Sequence, residues 1–225
     1  YGTWRLRSAQ EGGLHAVAPS TSTAAPATAA AAAAAAATNT TPGPQPSAAA
    51  HPAPVPEFVP DIALPDLAGR MHSLREGAGH LRVYNFWATW CEPCRREMPL
   101  LNQLQRQHRA TGLEVVGIAV DFRDAVATYL AKSPLDYRVL VGEETGFEAA
   151  QKFGVDLVLP FTVFADGADR VVAVKVGELH ADDAAAILDT LGQLKAAKLD
   201  LAAARTAIAT KLRDLATRRA LDHPS

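Results

Sequence analysis

The alternation of apolar and polar positions predicts strands and helices from residue 57 onward. Two apolar runs are typical of buried strands: LRVYNFW at residues 81–87, which contains aromatic and β-branched side chains, and LEVVGIAV at residues 113–120. Between them, residues 93–110 repeat apolar side chains on one helical face. A strand, a helix and a strand within about 40 residues form a βαβ unit, so we expect the two strands to be parallel.

The pattern downstream predicts the remaining elements of a mixed sheet. In order these are a helix at residues 124–132, a strand at 137–141, a helix at 147–153, strands at 161–164 and 171–176, and a helix from residue 181. The turn ADGAD between the last two strands indicates a hairpin, which gives the sheet an antiparallel edge. We therefore predict an α/β fold with a central mixed β-sheet flanked by helices.

Composition changes sharply along the chain and divides it into parts. Residues 16–56 contain no Asp, Glu, Lys or Arg and consist mostly of Ala, Pro, Thr and Ser, which predicts a disordered linker. The alanine run at residues 29–37 is shorter than the roughly 12 to 15 residues that an isolated helix needs, and the Pro-rich stretch after it favours an extended spacer. We interpret residues 1–15 as the stub after a membrane anchor, or else as an unstructured terminus.

The end of the chain predicts an extra C-terminal helix. We assign the folded domain to residues 57–192 and a helical extension to residues 193–225. Apolar side chains of the extension fall near one helical stripe: Leu194, Leu201, Ile208, Leu212 and Leu215. We expect this helix to pack on the same chain, and an oligomer contact is the alternative.

Charge does not point to a charged partner. The chain has 22 Lys and Arg against 24 Asp and Glu, a formal net charge of -2, without a run of like charge. A protein that binds nucleic acid or an anionic membrane surface through its field needs a basic patch. We therefore predict no nucleic-acid partner.

The candidate chemistry lies in NFWATWCEPCRREMP, residues 85–99, which contains both cysteines of the chain, Cys91 and Cys94. Because the predicted strand 81–87 ends just before them, Cys91 is expected at the N-terminus of the following helix. Unpaired N–H groups and the helix dipole stabilise a thiolate at that position. Cys91 would be the nucleophile, and Cys94 is close enough in sequence to resolve a mixed disulfide.

A zinc site and a purely structural disulfide are the alternatives for this pair. Zinc needs three or four ligands, and none of the seven histidines repeats at a ligand spacing. A structural disulfide between these positions would close too small a loop to constrain the unfolded chain much. A redox dithiol is favoured, with no metal and no cofactor besides the Cys91–Cys94 disulfide itself.

Three segments resemble the thioredoxin superfamily, specifically its TlpA/ResA-like branch of extracytoplasmic thiol-disulfide oxidoreductases. NFWATWCEPCRREMP is similar to the active-site segment, FVPDIALPDLAGRMHSL at 58–74 resembles the branch's N-terminal β-hairpin, and GVDLVLPFTVFADG at 154–167 resembles the segment with its cis-proline. The resemblance extends from residue 56 to about residue 192. It implies a thioredoxin-like fold with an N-terminal β-hairpin.

The resemblance also implies roles for residues around the cysteines. Cys91 attacks and Cys94 resolves, with Trp90 and Pro93 framing the pair. Glu97 matches a glutamate that ResA-like proteins place beside the active site, and it follows Cys94 by three residues, on the same helix face. A carboxyl group there can accept or return the thiol proton, and a solvated helix residue without a role is the alternative.

The segment before strand 161–164 is implied to contact substrate. Pro160 matches the family's cis-proline, and the family uses the backbone before that proline to align a substrate peptide. The residue before it, Leu159, is bulkier than the Thr, Val or Ile expected there.

The function predicted from these features is protein thiol-disulfide exchange. Alternatives are a redox-inactive thioredoxin-fold binding module and a thiol peroxidase, although the chain lacks the P-x3-T-x2-C setting of a peroxidatic cysteine. Glu92, next to Cys91, disfavours the thiolate, which predicts a reductase. Together with the linker, the resemblance implies a periplasmic protein anchored to the inner membrane, with an electron donor of the DsbD/CcdA type. It also implies apocytochrome c as the client, with the copper-site cysteines of an oxidase assembly factor as the alternative.

Overall fold

The computed structural model of the protein describes residues 54–77, 79–156 and 158–222. The predictions for residues 1–15 and for all but the last three residues of the linker lie outside the described residues. The elements in chain order are β1 (Ala63–Pro65), β2 (Met71–Ser73), β3 (Leu81–Trp87), α1 (Glu92–His108), β4 (Leu113–Ala119), α2 (Arg123–Lys132), β5 (Arg138–Val141), α3 (Glu143–Lys152), β6 (Phe161–Ala165), β7 (Val171–Val176), α4 (Ala181–Lys195) and α5 (Leu201–Asp222).

The main sheet has five strands in the order β5-β4-β3-β6-β7. The strands β3, β4 and β5 are parallel, whereas β6 is antiparallel to β3 and β7 is antiparallel to β6. The predicted mixed α/β fold is confirmed, and β1 and β2 form the separate N-terminal hairpin. Because of these directions, β3 and β4 end, and β6 begins, at the same edge of the sheet.

Helices cover both faces of this sheet. On one face α1, α2, α4 and α5 bury an apolar cluster that includes Trp87, Leu101 and Ile187. On the other face α3 and the hairpin cover a second cluster, in which the rings of Phe86 and Phe161 stack with centroids 4.1 Å apart. Alternate side chains of the central strands enter opposite clusters, which explains their continuous apolar sequence.

Two element boundaries differ from the prediction by more than one residue, for local reasons. The helix α3 begins at Glu143, whereas the prediction placed its start at residue 147. The prediction missed the first turn, Glu-Glu-Thr-Gly, because that turn carries no apolar periodicity. The helix α1 ends at His108 and continues as one 3-10 turn, after which Gly112, with φ of 85°, reverses the chain into β4. Glycine adopts this left-handed conformation at little cost.

The C-terminal extension forms a helix of its own. Residues 193–195 belong to α4, and α5 begins only at Leu201. The helix α5 packs against α4 and β7, with Ala204 and Ile208 buried, so the expected packing on the same chain is observed. Across the described ranges, none of the helices combines the length and apolar character needed to cross a bilayer.

Candidate functional site

The two cysteines lie at the start of α1, beyond the end of β3. Cys91 is the N-cap residue and forms a disulfide with Cys94, with Cα atoms 5.3 Å apart. The backbone N–H of Cys94 points at the Cys91 sulfur, at 3.3 Å. An N–H group at a helix N-terminus stabilises negative charge, so after reduction a Cys91 thiolate would be favoured at this position.

Exposure distinguishes the two sulfur atoms. Cys91 is 5% exposed and Cys94 is fully buried, so Cys91 is the more accessible of the two residues. Trp90, by contrast, is 67% exposed, and Pro93 is partly buried in the first turn of α1. Trp90 directly precedes Cys91, and Pro93 directly precedes Cys94. Trp90 therefore offers an exposed apolar surface beside the pair.

A buried carboxylate holds the turn that precedes Cys91. One oxygen of Asp121 accepts hydrogen bonds from the Thr89 N–H group, at 2.8 Å, and from the Thr89 hydroxyl, at 2.6 Å. Its other oxygen accepts from the Phe122 N–H group. Asp121 follows β4, so the parallel pairing of β3 and β4 brings it to this turn. No local pattern in the sequence indicates this role.

The segment with Pro160 lies at the same edge of the sheet. The Leu159–Pro160 peptide bond is cis, as the resemblance implied. Pro160 is buried, Leu159 is partly buried, and β6 begins directly after them beside β3. The Pro160 carbonyl accepts a hydrogen bond from Gly177, which has φ of 83° and turns the chain out of β7. The cysteine pair and the Leu159–Pro160 segment therefore lie at the same edge of the sheet. Their contact with substrate stays a prediction.

Glu97 lies within the protein, one helical turn after Cys94. It is 1% exposed, and its carboxyl oxygens accept hydrogen bonds from Asn85 Nδ2, at 2.6 Å, and from the Leu179 N–H group, at 2.5 Å. Burial raises the pKa of Glu97 to about 7, because desolvation outweighs these two hydrogen bonds. A carboxyl group with this pKa can exchange a proton at neutral pH. Glu97 is therefore not a solvated residue, and its part in catalysis stays a prediction.

Residues that the sequence did not single out build the environment of Glu97. Leu179 lies in the loop between β7 and α4. Glu178 in the same loop pairs with Arg96 of α1, two of whose guanidinium nitrogens donate to one Glu178 carboxylate oxygen. Lys175 lowers the pKa of Glu97, and Glu178 raises it. Lys175, Glu178 and Leu179 lie about 80 positions from Glu97 in the chain, so no local pattern could have identified them.

A metal site does not emerge from the described ranges. No three His, Cys, Asp or Glu side chains in them come close enough together to hold an ion.

Comparisons with known proteins agree with this geometry. The AhpC/TSA family profile matches residues 55–196. The thiol-disulfide oxidoreductase ResA of Bacillus thuringiensis is 31% identical over 120 residues, which is 53% of this chain and 68% of that protein.

Solved structures show the same fold. A protein of Chlorobium tepidum assigned as the thiol:disulfide interchange protein DsbE is 29% identical with a TM-score of 0.54, over 60% of this chain and 92% of that one. A secreted thiol-disulfide isomerase of Corynebacterium glutamicum is 26% identical with a TM-score of 0.52, over 67% of this chain and 84% of that one.

Proposed function

Since the chain belongs to the AhpC/TSA family, as a thiol-disulfide oxidoreductase of the ResA type, we propose that it reduces protein disulfides outside the cytoplasm through Cys91 and Cys94. One observation supports this function above all others. The pair begins a helix whose next turn contributes a buried carboxyl group with a pKa near neutrality.

The exchange proceeds in two steps. The Cys91 thiolate attacks one sulfur of a substrate disulfide, so a Cys91–substrate disulfide forms and the other substrate sulfur leaves as a thiolate, which takes up a proton. The Cys94 thiolate then attacks the Cys91 sulfur, forms the Cys91–Cys94 disulfide and releases the second substrate thiolate. Two electrons pass from the dithiol to the substrate.

Glu97 supplies the base for the second step. Cys94 is fully buried, and its thiol must lose a proton before it can attack. The ionised form of Glu97 can accept that proton, and its pKa of about 7 keeps both protonation states populated near neutral pH. Trp90 and Leu159, with the backbone at Pro160, would hold the substrate segment against Cys91.

The electrostatic surroundings favour the reducing direction. Both cysteines are nearly or fully buried, and burial in apolar surroundings opposes the stabilisation that the helix N-terminus gives a Cys91 thiolate. The carboxylate of Glu92 adds a negative charge next to Cys91, although Arg96, 3.4 Å from it, offsets part of that charge. Destabilising the reduced form makes the disulfide harder to reduce, and about 1.4 kcal/mol corresponds to about 30 mV.

Location and partners extend the same proposal. The charge-free linker at residues 16–56 suits a domain held away from a membrane by an anchor, and one structural relative is described as secreted. The proposed setting is the periplasm, with a membrane electron donor of the DsbD/CcdA type. The proposed client is apocytochrome c, whose cysteines must be reduced before haem attachment, and the copper-site cysteines of an oxidase assembly factor are the second candidate.

The redox potential tests the direction of electron flow. After equilibration with glutathione or dithiothreitol buffers, we expect a potential near the thioredoxin value of about -270 mV, and a value near -120 mV would make the protein an oxidant. Insulin reduction, with Cys91→Ser as the inactive control, tests the activity itself. If the wild-type protein does not reduce insulin, the redox-inactive binding module is favoured. Rapid consumption of hydrogen peroxide would favour the peroxidase.

A further inference from the structure

Arg219 connects the C-terminal helix to the start of α4. It lies in the last turn of α5, beyond the region that the family profile matches, which ends at residue 196. One guanidinium nitrogen donates to both carboxylate oxygens of Asp182, at 2.7 and 2.9 Å, and another donates to Asp183, at 2.7 Å. Such a planar fork fixes the position of the groups that it binds.

Asp183 is a fully buried carboxylate that depends on its partners. Its second oxygen lies 3.3 Å from the His180 backbone nitrogen, 3.5 Å from Nδ1 of the same residue and 3.9 Å from Lys175 Nζ. Among the described residues, Arg219 is the one permanent cation within direct hydrogen-bond distance of Asp183. Removing one partner of a buried ion pair leaves an uncompensated charge. His180 is closer but carries a charge only when protonated, so the permanent cation that this charge would attract is Lys175, 3.9 Å away.

Lys175 in turn holds the loop that contacts Glu97. Its ammonium group donates to the carbonyl oxygens of Val176 and Glu178, each at 3.0 Å. These carbonyls lie on either side of Gly177, and the next N–H group along the chain, that of Leu179, donates to Glu97. A continuous chain of contacts therefore runs from α5 to the active site.

We propose that Arg219 is a positioning residue for the redox site. By neutralising Asp183, it leaves Lys175 bound to the two loop carbonyls, which keeps the Leu179 N–H group against Glu97. This inference rests on the proposed function of Glu97. It assigns to α5 a control over proton transfer at the disulfide, although Arg219 lies far from Cys91 and Cys94 in the sequence.

Removal of Arg219 has a predictable direction. Lys175 would move toward Asp183 and release the loop, so Glu97 would lose its hydrogen bond from Leu179 and the nearby positive charge. Both losses disfavour the ionised carboxyl group, so the titration midpoint of Glu97 should rise. The other ionisable groups near it are Glu178, which is paired with Arg96, and Tyr137, whose pKa is raised by burial and by the charge of Glu97.

An NMR titration of the oxidised full chain with 13C-labelled Glu carboxyl groups tests the inference. The Glu97 resonance is assigned by its absence from Glu97→Gln. In Arg219→Ala we expect a midpoint higher than that of the wild type by about 0.5 to 1 unit, and in Arg219→Lys a smaller rise. Arg205→Ala is the matched control, because Arg205 also joins α5 to β7, through the Val171 carbonyl, and should leave the midpoint within about 0.2 units.

A purely structural role for Arg219 would lower the thermal midpoint in both Arg variants and leave the Glu97 titration unchanged. The inference is overturned if the midpoint in Arg219→Ala moves no further than in Arg205→Ala. Should Arg219→Ala fail to fold, an unchanged midpoint in Arg219→Lys overturns it instead. The titration needs no turnover, so its outcome is separate from the insulin assay that tests the proposed function.

Discussion

The stability of oxidised Glu97→Gln relative to the oxidised wild type should be higher at alkaline pH than at acidic pH. In the folded chain the pKa of Glu97 is raised from 4.5 to about 7, chiefly by desolvation. The folded state therefore binds this proton more tightly than the unfolded state does. The resulting stability is fully present below about pH 4.5 and is lost as the pH rises through about 7.

The magnitude follows from the difference between the two pKa values. A raised pKa of about 7 against 4.5 corresponds to about 3 kcal/mol in total, of which about 2 to 3 kcal/mol is lost between pH 5 and pH 8. Gln has the same shape and no charge, so the variant avoids this loss. Any loss of hydrogen bonding in the variant is the same at both pH values and cancels in the comparison.

The surroundings of residue 97 can accept a neutral amide. Asn85 Oδ1 is buried, and no partner for it occurs in the described part of the chain. After rotation of the Asn85 amide, that oxygen could accept from the new amide group, while the Thr162 hydroxyl, 3.1 Å from Asn85, can donate as well as accept. The substitution should therefore preserve the fold.

Denaturation of the oxidised proteins at pH 5 and pH 8 measures the effect. The stability of Glu97→Gln relative to wild type should increase by about 2 to 3 kcal/mol from the lower to the higher pH, or roughly 5 to 10 °C in thermal midpoint. The matched control is Glu92→Gln, at the first residue of α1, whose side chain is 73% exposed. Its relative stability should not change with pH.

Kinetics provide the second part of this test. Release of a mixed disulfide by Cys94 should slow by about 10² to 10⁴-fold in Glu97→Gln, since a positioned base is lost. Equal relative stability at both pH values, together with unchanged turnover between pH 6 and 8, would refute both the raised pKa and the role of Glu97 as a base.

Two further predictions concern the cysteines and the turn before them. In the reduced protein at pH 7, iodoacetamide should modify Cys91 at least about tenfold faster than Cys94, and the reverse order would contradict the assigned roles. Asp121→Ala should destabilise the protein by about 1 to 3 kcal/mol and change the alkylation rate of Cys91, because Thr89 and Phe122 lose their acceptor. Asp121→Asn, which keeps one acceptor oxygen, should restore part of both. Wild-type stability and alkylation rate in Asp121→Ala would show that Asp121 does not hold the turn.

The local elements and the redox pair could be predicted from the sequence because their signals are local. The apolar run at 81–87 followed by a helical pattern places Cys91 at a helix N-terminus, and the structure has it as the N-cap of α1. The mixed sheet follows from short buried strands, one βαβ unit and one hairpin turn. Where periodicity is weak, as in the first turn of α3, the prediction missed the boundary.

The tertiary structure decided the environment of the cysteines. The sequence places Glu97 one turn after Cys94, but an exposed and a buried Glu are equally compatible with that spacing. Burial results from the loop after β7, which brings Leu179 to Glu97 across 82 positions. In the same way, the parallel pairing of β3 and β4 brings Asp121 to Thr89, and the packing of α5 brings Arg219 to Asp183. Periodicity reports which face of an element is buried, whereas the partner of a polar side chain depends on how separate elements pack together.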